Sequence, residues 1–135
     1  MKVIIYAHPD NNSFNHAMLE TVKSTLDKAG EKYEMIDLYS EGYDPVISTE
    51  EVRGKVLEKT IHYQKKISSA DTLIFIFPVF WFRAPAMMEG FIDRTFTPGF
   101  AYKYKKLFGV YGIPIRLLKN KKAAIQTASY NSARL

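Results

Sequence analysis

Between Leu73 and Phe82 the chain reads LIFIFPVFWF, an apolar run without polar alternation, and this segment limits the fold more than any other. A strand that is apolar on both faces has to be covered on both, as in the centre of a parallel sheet flanked by helices. The run has ten residues with a proline inside, against the ~20 needed to cross a bilayer, so it predicts a buried strand and no membrane span. The strand is expected over Thr72 to Phe77, stopping at Pro78. An aromatic loop follows, and a helix restarts at Pro85, because proline is tolerated in the first helical turn. An apolar shelf is thereby set where a strand meets a helix, which is where open α/β sheets bind ligands.

The other segments alternate to match. Val3 to Tyr6 reads as a first strand. Ser13 can cap a helix in which Phe14, Met18, Val22 and Leu26 recur every four residues, with Gly30 as its stop. Tyr33 to Asp37 is a short second strand, and Glu34 places it near a sheet edge. After a loop at Tyr43-Asp44-Pro45, Ser48 and Glu51 fit a capping box. The surface helix expected from there to Ser69 has Val52, Val56, Leu57 and Ile61 near one face. Beyond Gly99 a long loop leads to a last strand, Ala123 to Ala128. This order predicts an α/β fold, one domain over residues 1–135 with a mostly parallel sheet covered on both faces.

Composition removes several function classes. With no cysteine, the chain has no disulfide framework, CxxC centre, thiolate nucleophile or cysteine-held metal, so a cofactor must carry any redox chemistry. No metal site is expected. The apolar stretch in MKVIIYAHPD is shorter than the roughly 7 to 15 residues of a signal-peptide core, so a cytoplasmic protein is expected. Seven of the nineteen basic residues lie between Lys103 and Lys122, either as a solvated loop or as a patch that steers an anionic partner. No nucleic-acid motif accompanies them, and no nucleic-acid partner is expected.

Two places offer chemistry. His8-Pro9-Asp10-Asn11-Asn12-Ser13-Phe14-Asn15 is a polar loop entering a helix N-terminus, where free N–H groups and the helix dipole favour a phosphate. Ser13 and Asn15 could add side-chain donors, and His8 could help if it points inward. The plainer reading is that Ser13 only caps while Asn11 and Asn12 make a turn. No glycine fingerprint of the dinucleotide-binding type is present. The second place is the aromatic group after Phe77. Such residues ordinarily pack in a core, but Pro78 and Pro85 bracket Trp81, Phe82 and Arg83, which puts them in a surface loop. A planar shelf beside a phosphate seat describes a site for a planar, phosphorylated ligand.

At these residues the chain resembles the NAD(P)H:quinone oxidoreductases of the flavodoxin-like superfamily. HPDNNSFNHA at 8–17 is similar to that family's phosphate loop, IDLYSEGYDPVIS at 36–48 to its second strand and following loop, and FPVFWFRAPAMMEGFIDRTFTPGFAY at 77–102 to its flavin-loop signature. The resemblance implies a three-layer sandwich whose parallel sheet has the order 2-1-3-4, with the family's fifth strand missing from the chain as given. A fragment, a shortened reading frame or completion by a partner would each account for that. It implies FMN as cofactor, with FAD as the alternative. His8, Ser13, Phe14 and Asn15 would surround the phosphate and ribityl chain, and Pro78, Val79, Phe80, Trp81 and Phe82 would line the isoalloxazine ring. The turn from Thr127 to Asn131, with Thr127, Ala128 and Ser129, would close the ring's pyrimidine side. Trp81, Phe82, Tyr102 and Tyr104 would shape the substrate face.

The implied activity is two-electron and ping-pong, with hydride passing from NAD(P)H to the flavin and then to a quinone. No side chain is assigned as acid or base. A homodimer is also implied, its interface completing each flavin site. Two features depart from the family pattern: QTASYNSA stands in place of a threonine- and glycine-rich turn, and Arg83 stands where a small residue is frequent. Two other functions remain open, a flavin-binding regulatory module with weak or no turnover and a one-electron carrier of flavodoxin type.

Overall fold

The computed structural model describes residues 1–107, 109 and 111–129. Along the chain these form β1 (Lys2–Tyr6), α1 (Phe14–Lys28), β2 (Tyr33–Asp37), α2 (Thr49–Val52), α3 (Glu58–Ser69), β3 (Thr72–Val79), α4 (Ala86–Thr95), β4 (Tyr102–Leu107), β5 (Tyr111–Arg116) and β6 (Lys122–Ser129). The parallel sheet has the order β2-β1-β3-β6, which is the expected 2-1-3-4 with β6 as its fourth strand. Register runs from Lys2 opposite both Tyr33 and Thr72 to Tyr6 opposite Asp37 and Ile76. On the other side of β3, Thr72 to Val79 face Lys122 to Ser129.

The missing polar alternation of β1 and β3 has a direct cause, since each face of the sheet has its own core. Ile4, Tyr6, Ile74 and Ile76 pack with Leu19, Met18, Val22 and Leu26 of α1. Val3, Ile5, Ile36 and Leu38 pack on the opposite face with Tyr63 and Ile67 of α3 and Met88 and Phe91 of α4. These are the layers of a three-layer sandwich. Ser13 caps α1, its Oγ accepting the His16 N–H at 3.1 Å, and Gly30 stops the helix with a left-handed φ of 65°. Phe14 is exposed, so the buried stripe of α1 begins at Asn15 and Leu19 and not at Phe14 as the period implied.

Three expectations are corrected. The helix predicted from Ser48 to Ser69 is two helices. The capping box forms, with Ser48 Oγ accepting the Glu51 N–H at 3.2 Å and Glu51 Oε2 accepting the Ser48 N–H at 2.9 Å. It starts only one turn, because Gly54 at φ 100° breaks the helical path and α3 begins anew at Glu58. The helical phase is therefore reset, Val52 is 71% exposed, and the inner face of α3 is Thr60, Tyr63 and Ile67.

The second correction concerns Pro78, which lies within β3. The Ile76 carbonyl accepts the Ala7 N–H at 3.0 Å, the last amide on the β1 side. Pro78, two residues on, turns its missing donor toward that side beyond the end of β1, so no ladder bond is lost. Third, the predicted long loop holds an antiparallel ribbon of β4 and β5, with Tyr102 opposite Arg116 and Tyr104 opposite Pro114. The ribbon is a separate two-stranded sheet rooted by Leu117 N–H donating to Ala101 O at 2.7 Å. Among the described residues no helix is long and apolar enough to cross a membrane.

Candidate functional site

In a parallel sheet all carboxyl ends lie along one edge, so the loops after Tyr6, Val79 and Ser129 meet there. The strand order reverses at β1, which has β2 on one side and β3 on the other, and such a reversal leaves a crevice between neighbouring loops.

The first loop folds on its own polar groups. The Asp10 N–H donates to His8 Nδ1 at 3.0 Å, the Asn12 N–H to Asp10 Oδ1 at 2.8 Å and the Ser13 N–H to Asp10 O at 3.2 Å. His8 is thus spent on the loop's shape, whereas Ser13 Oγ accepts the cap bond and keeps its one O–H donor. Behind them, Asn15 is only 4% exposed. Its Oδ1 is buried without a hydrogen-bond partner, as is His16 Nδ1, and the buried Tyr6 hydroxyl interacts with the Ser13 side chain. Tyr6 and His16 meet edge to face at 6.2 Å, and burial pushes the Tyr6 hydroxyl pKa up. Unpartnered buried polar groups are rare and cost about 1–3 kcal/mol each. Asn15 Oδ1 and His16 Nδ1 both belong to the first turn of α1 and are sealed from solvent. Tyr6 and His16 escaped the sequence reading. Their only local signals were a hydroxyl-bearing residue at the end of an otherwise apolar strand and an imidazole three positions after the cap.

The second loop is a tight turn. The Phe80 N–H donates to Arg83 O and the Arg83 N–H to Phe80 O, both at 3.0 Å. The central residues have positive φ, 50° at Trp81 and 60° at Phe82, the pattern of a type I′ turn normally filled by Asn-Gly. Bulky side chains in that region cost on the order of 1–3 kcal/mol each. Trp81 is 92% exposed and Phe82 98%, so neither is core, while Pro78 is buried and Val79 half-buried beneath them. An exposed tryptophan and phenylalanine held in strained backbone form a shelf open to solvent.

Thr127, Ala128 and Ser129 are strand residues of β6, not a turn; they lie opposite Phe77, Pro78 and Val79 because β3 runs on through its proline. The remainder of the predicted turn, through Asn131, lies outside the described residues. Tyr102 and Tyr104 pack edge to face at 5.5 Å on β4. They are not brought to Trp81 and Phe82 within one chain. α4 leaves Pro85 at the carboxyl edge and carries the chain to the amino edge, where the ribbon is rooted and Lys121 Nζ donates to Ser68 O at 2.9 Å. Among the described residues no group of three or more His, Asp or Glu side chains could hold a metal. What the carboxyl edge offers is the N-terminus of α1 beside an aromatic shelf, and this fits a planar ligand carrying an anionic group.

A family model described as "Flavodoxin-like fold" matches residues 1–134. The chain is similar to NAD(P)H dehydrogenase [quinone] 1 of Cavia porcellus, 35% identical over 78% of this chain and 46% of the relative. Among solved structures it is similar to Smu.1420 from Streptococcus mutans, with TM-score 0.83 and 39% identity over 94% of this chain and 67% of that one. It is also similar to the NAD(P)H:quinone oxidoreductase from Methanothermobacter marburgensis, with TM-score 0.84 and 29% identity over 95% and 66%. The chain spans about half the length of the curated relatives it matches.

Proposed function

This chain belongs to the flavodoxin-like fold family and is related to NAD(P)H:quinone oxidoreductases, and on that premise we propose that it serves flavin-dependent, two-electron reduction of quinones by NAD(P)H. The observation that supports this most is one juxtaposition, the N-terminus of α1, capped by Ser13, on the same sheet edge as the outward Trp81–Phe82 shelf.

In this reading the first-turn N–H groups of α1, joined by the Asn15 Nδ2 donor, receive the flavin phosphate, and the seat suits FMN, with FAD the alternative. Phe14 and Ser13 border it, with His8 shaping the loop from behind. Trp81 and Phe82 form the shelf on which the ring lies and shield that face from water, with Pro78, Val79 and Phe80 beneath and Thr127, Ala128 and Ser129 alongside. When bound, the flavin supplies hydride chemistry between NAD(P)H and quinone, which the side chains do not. One open face serves donor and acceptor in turn, so a ping-pong order follows. Tyr102 and Tyr104, rooted at the far end of the sheet, reach such a face only on a second copy, which supports a homodimer as the working form.

The test is the visible absorbance of purified or flavin-reconstituted protein, mass identification of any released flavin, and NAD(P)H oxidation with a soluble quinone. Stoichiometric FMN with quinone-dependent turnover is expected. Protein that cannot take up flavin defeats the reading, and bound flavin without NAD(P)H oxidation would instead make the chain a binding module.

A further inference from the structure

Arg83 is held at both its backbone and its side chain. Its N–H and carbonyl close the turn on Phe80, while Nε donates to Glu89 Oε1 at 3.1 Å and Nη2 to Glu89 Oε2 at 2.5 Å. Glu89 belongs to the first turn of α4, an element fixed in the core by Met88 and Phe91. The fork therefore ties a loop in solvent to a helix anchored in the core. The turn needs such a tie. Its two central residues are both in left-handed backbone, and their side chains, 92% and 98% exposed, supply no packing to keep them there. Two backbone bonds in a solvent-exposed turn are marginal by themselves. A planar, bidentate guanidinium–carboxylate pair adds direction as well as attraction, and a lysine ammonium cannot reproduce it.

We propose that Arg83 is a positioning residue, whose fork on Glu89 holds the Trp81–Phe82 turn in its left-handed, outward geometry so that the shelf exists before any ligand arrives. The proposal rests on the flavin reading only for what the shelf receives.

Trp81 is the single tryptophan of the chain, so its fluorescence reports this turn alone. Time-resolved anisotropy of the full, flavin-free chain is the experiment. Arg83→Ala and Glu89→Gln are each expected to enlarge the fast local motion of Trp81 about twofold, with thermal unfolding little changed because the pair is largely solvent-exposed. Arg83→Lys restores the wild-type signal only in part, and the exchanged pair Arg83→Glu with Glu89→Arg restores most of it. Raising salt to about 1 M, where screening acts within ~3 Å, loosens wild-type Trp81 but leaves Arg83→Ala unaffected. In flavin titrations Arg83→Ala binds roughly three- to fivefold more weakly. Unchanged Trp81 anisotropy in both folded single variants overturns the proposal. A wild-type protein that shows the anisotropy response yet takes up no flavin upholds the clamp and refutes the function.

Discussion

At the scale of single residues, Asn15 is the most open to test, because its Oδ1 acceptor is buried without a partner while only its Nδ2 could donate to a phosphate. If it and Ser13 face a phosphate, the double variant Ser13→Ala, Asn15→Ala loses affinity for FMN far more than for phosphate-free riboflavin, as parallel titrations would read. Equal losses for both ligands would mark a folding defect through the lost cap, worth about 1 kcal/mol. Trp81→Ala is expected to weaken flavin binding by about 0.5–1.5 kcal/mol beyond the lost contact area, and an unchanged Kd in a folded variant would remove Trp81 from the site. Ser13, Asn15 and Trp81 were legible because caps, turns and bracketing prolines are local chemistry. Tyr6 and His16 were not, because their burial depends on how α1 lies across β1, which adjacent letters do not encode. The left-handed φ of Trp81 and Phe82 was equally hidden, since aromatic residues are the last to be expected there.

Elements are joined by contacts that allow little substitution. Gly90 of α4 passes so close to the loop before α2 that a Cβ would lie 2.2 Å from Pro45 O and 2.5 Å from Pro45 Cβ. Gly90→Ala should destabilise the protein by about 1–3 kcal/mol in chemical denaturation, despite alanine's better helix propensity. Nearby, one carboxylate links two helices, with Glu51 Oε2 accepting from Ser48 and Oε1 accepting from Arg94 Nε at 2.7 Å. Arg94 also donates to Asp44 O and lies 5.6 Å from the Tyr43 ring centre. Burial alone would raise the Glu51 pKa, but the Arg94 and Ser48 bonds hold it below the ordinary range. A depressed folded-state pKa gives stability that is present above about pH 4.5 and lost as pH falls through the folded value. Glu51→Gln should therefore cost roughly 2–4 kcal/mol at neutral pH, with the difference from wild type shrinking as the pH falls below that range. The capping box announced the start of α2 in the sequence, but apolar period could not reveal that Gly54 would reset it. The β4–β5 ribbon was missed for a related reason. None of its described side chains belongs to either core cluster, and its strands carry lysines and a proline that only an all-edge ribbon tolerates.

For the whole molecule, assembly is the open quantity. β6 is the last strand of the described sheet, with Ile125 exposed, and such an edge is a template for pairing. Light scattering should report a dimer. A sharper measurement mixes chains carrying Trp81→Ala with chains carrying Tyr104→Ala. If each face is built from two copies, random pairing regenerates intact faces and restores about a quarter of wild-type turnover from two impaired parents. No gain on mixing would confine the site to one chain. The sandwich and its strand order were readable because a doubly apolar strand leaves few other solutions, whereas contacts between copies leave no such pattern in one sequence.

The projecting ribbon also bears on how the protein would survive handling. Lys103, Lys105, Lys106, Arg116 and Lys119 are all exposed, and β4 and β5 form a two-stranded sheet apart from the main one. Trypsin should nick the chain there first, since cleavage favours exposed backbone with little holding it down. The cut would fall between α4 and β6, yet β6 stays laced to β3 from Thr72 to Val79. A nicked preparation would then elute from a sizing column at its native position while running as separate pieces on a denaturing gel.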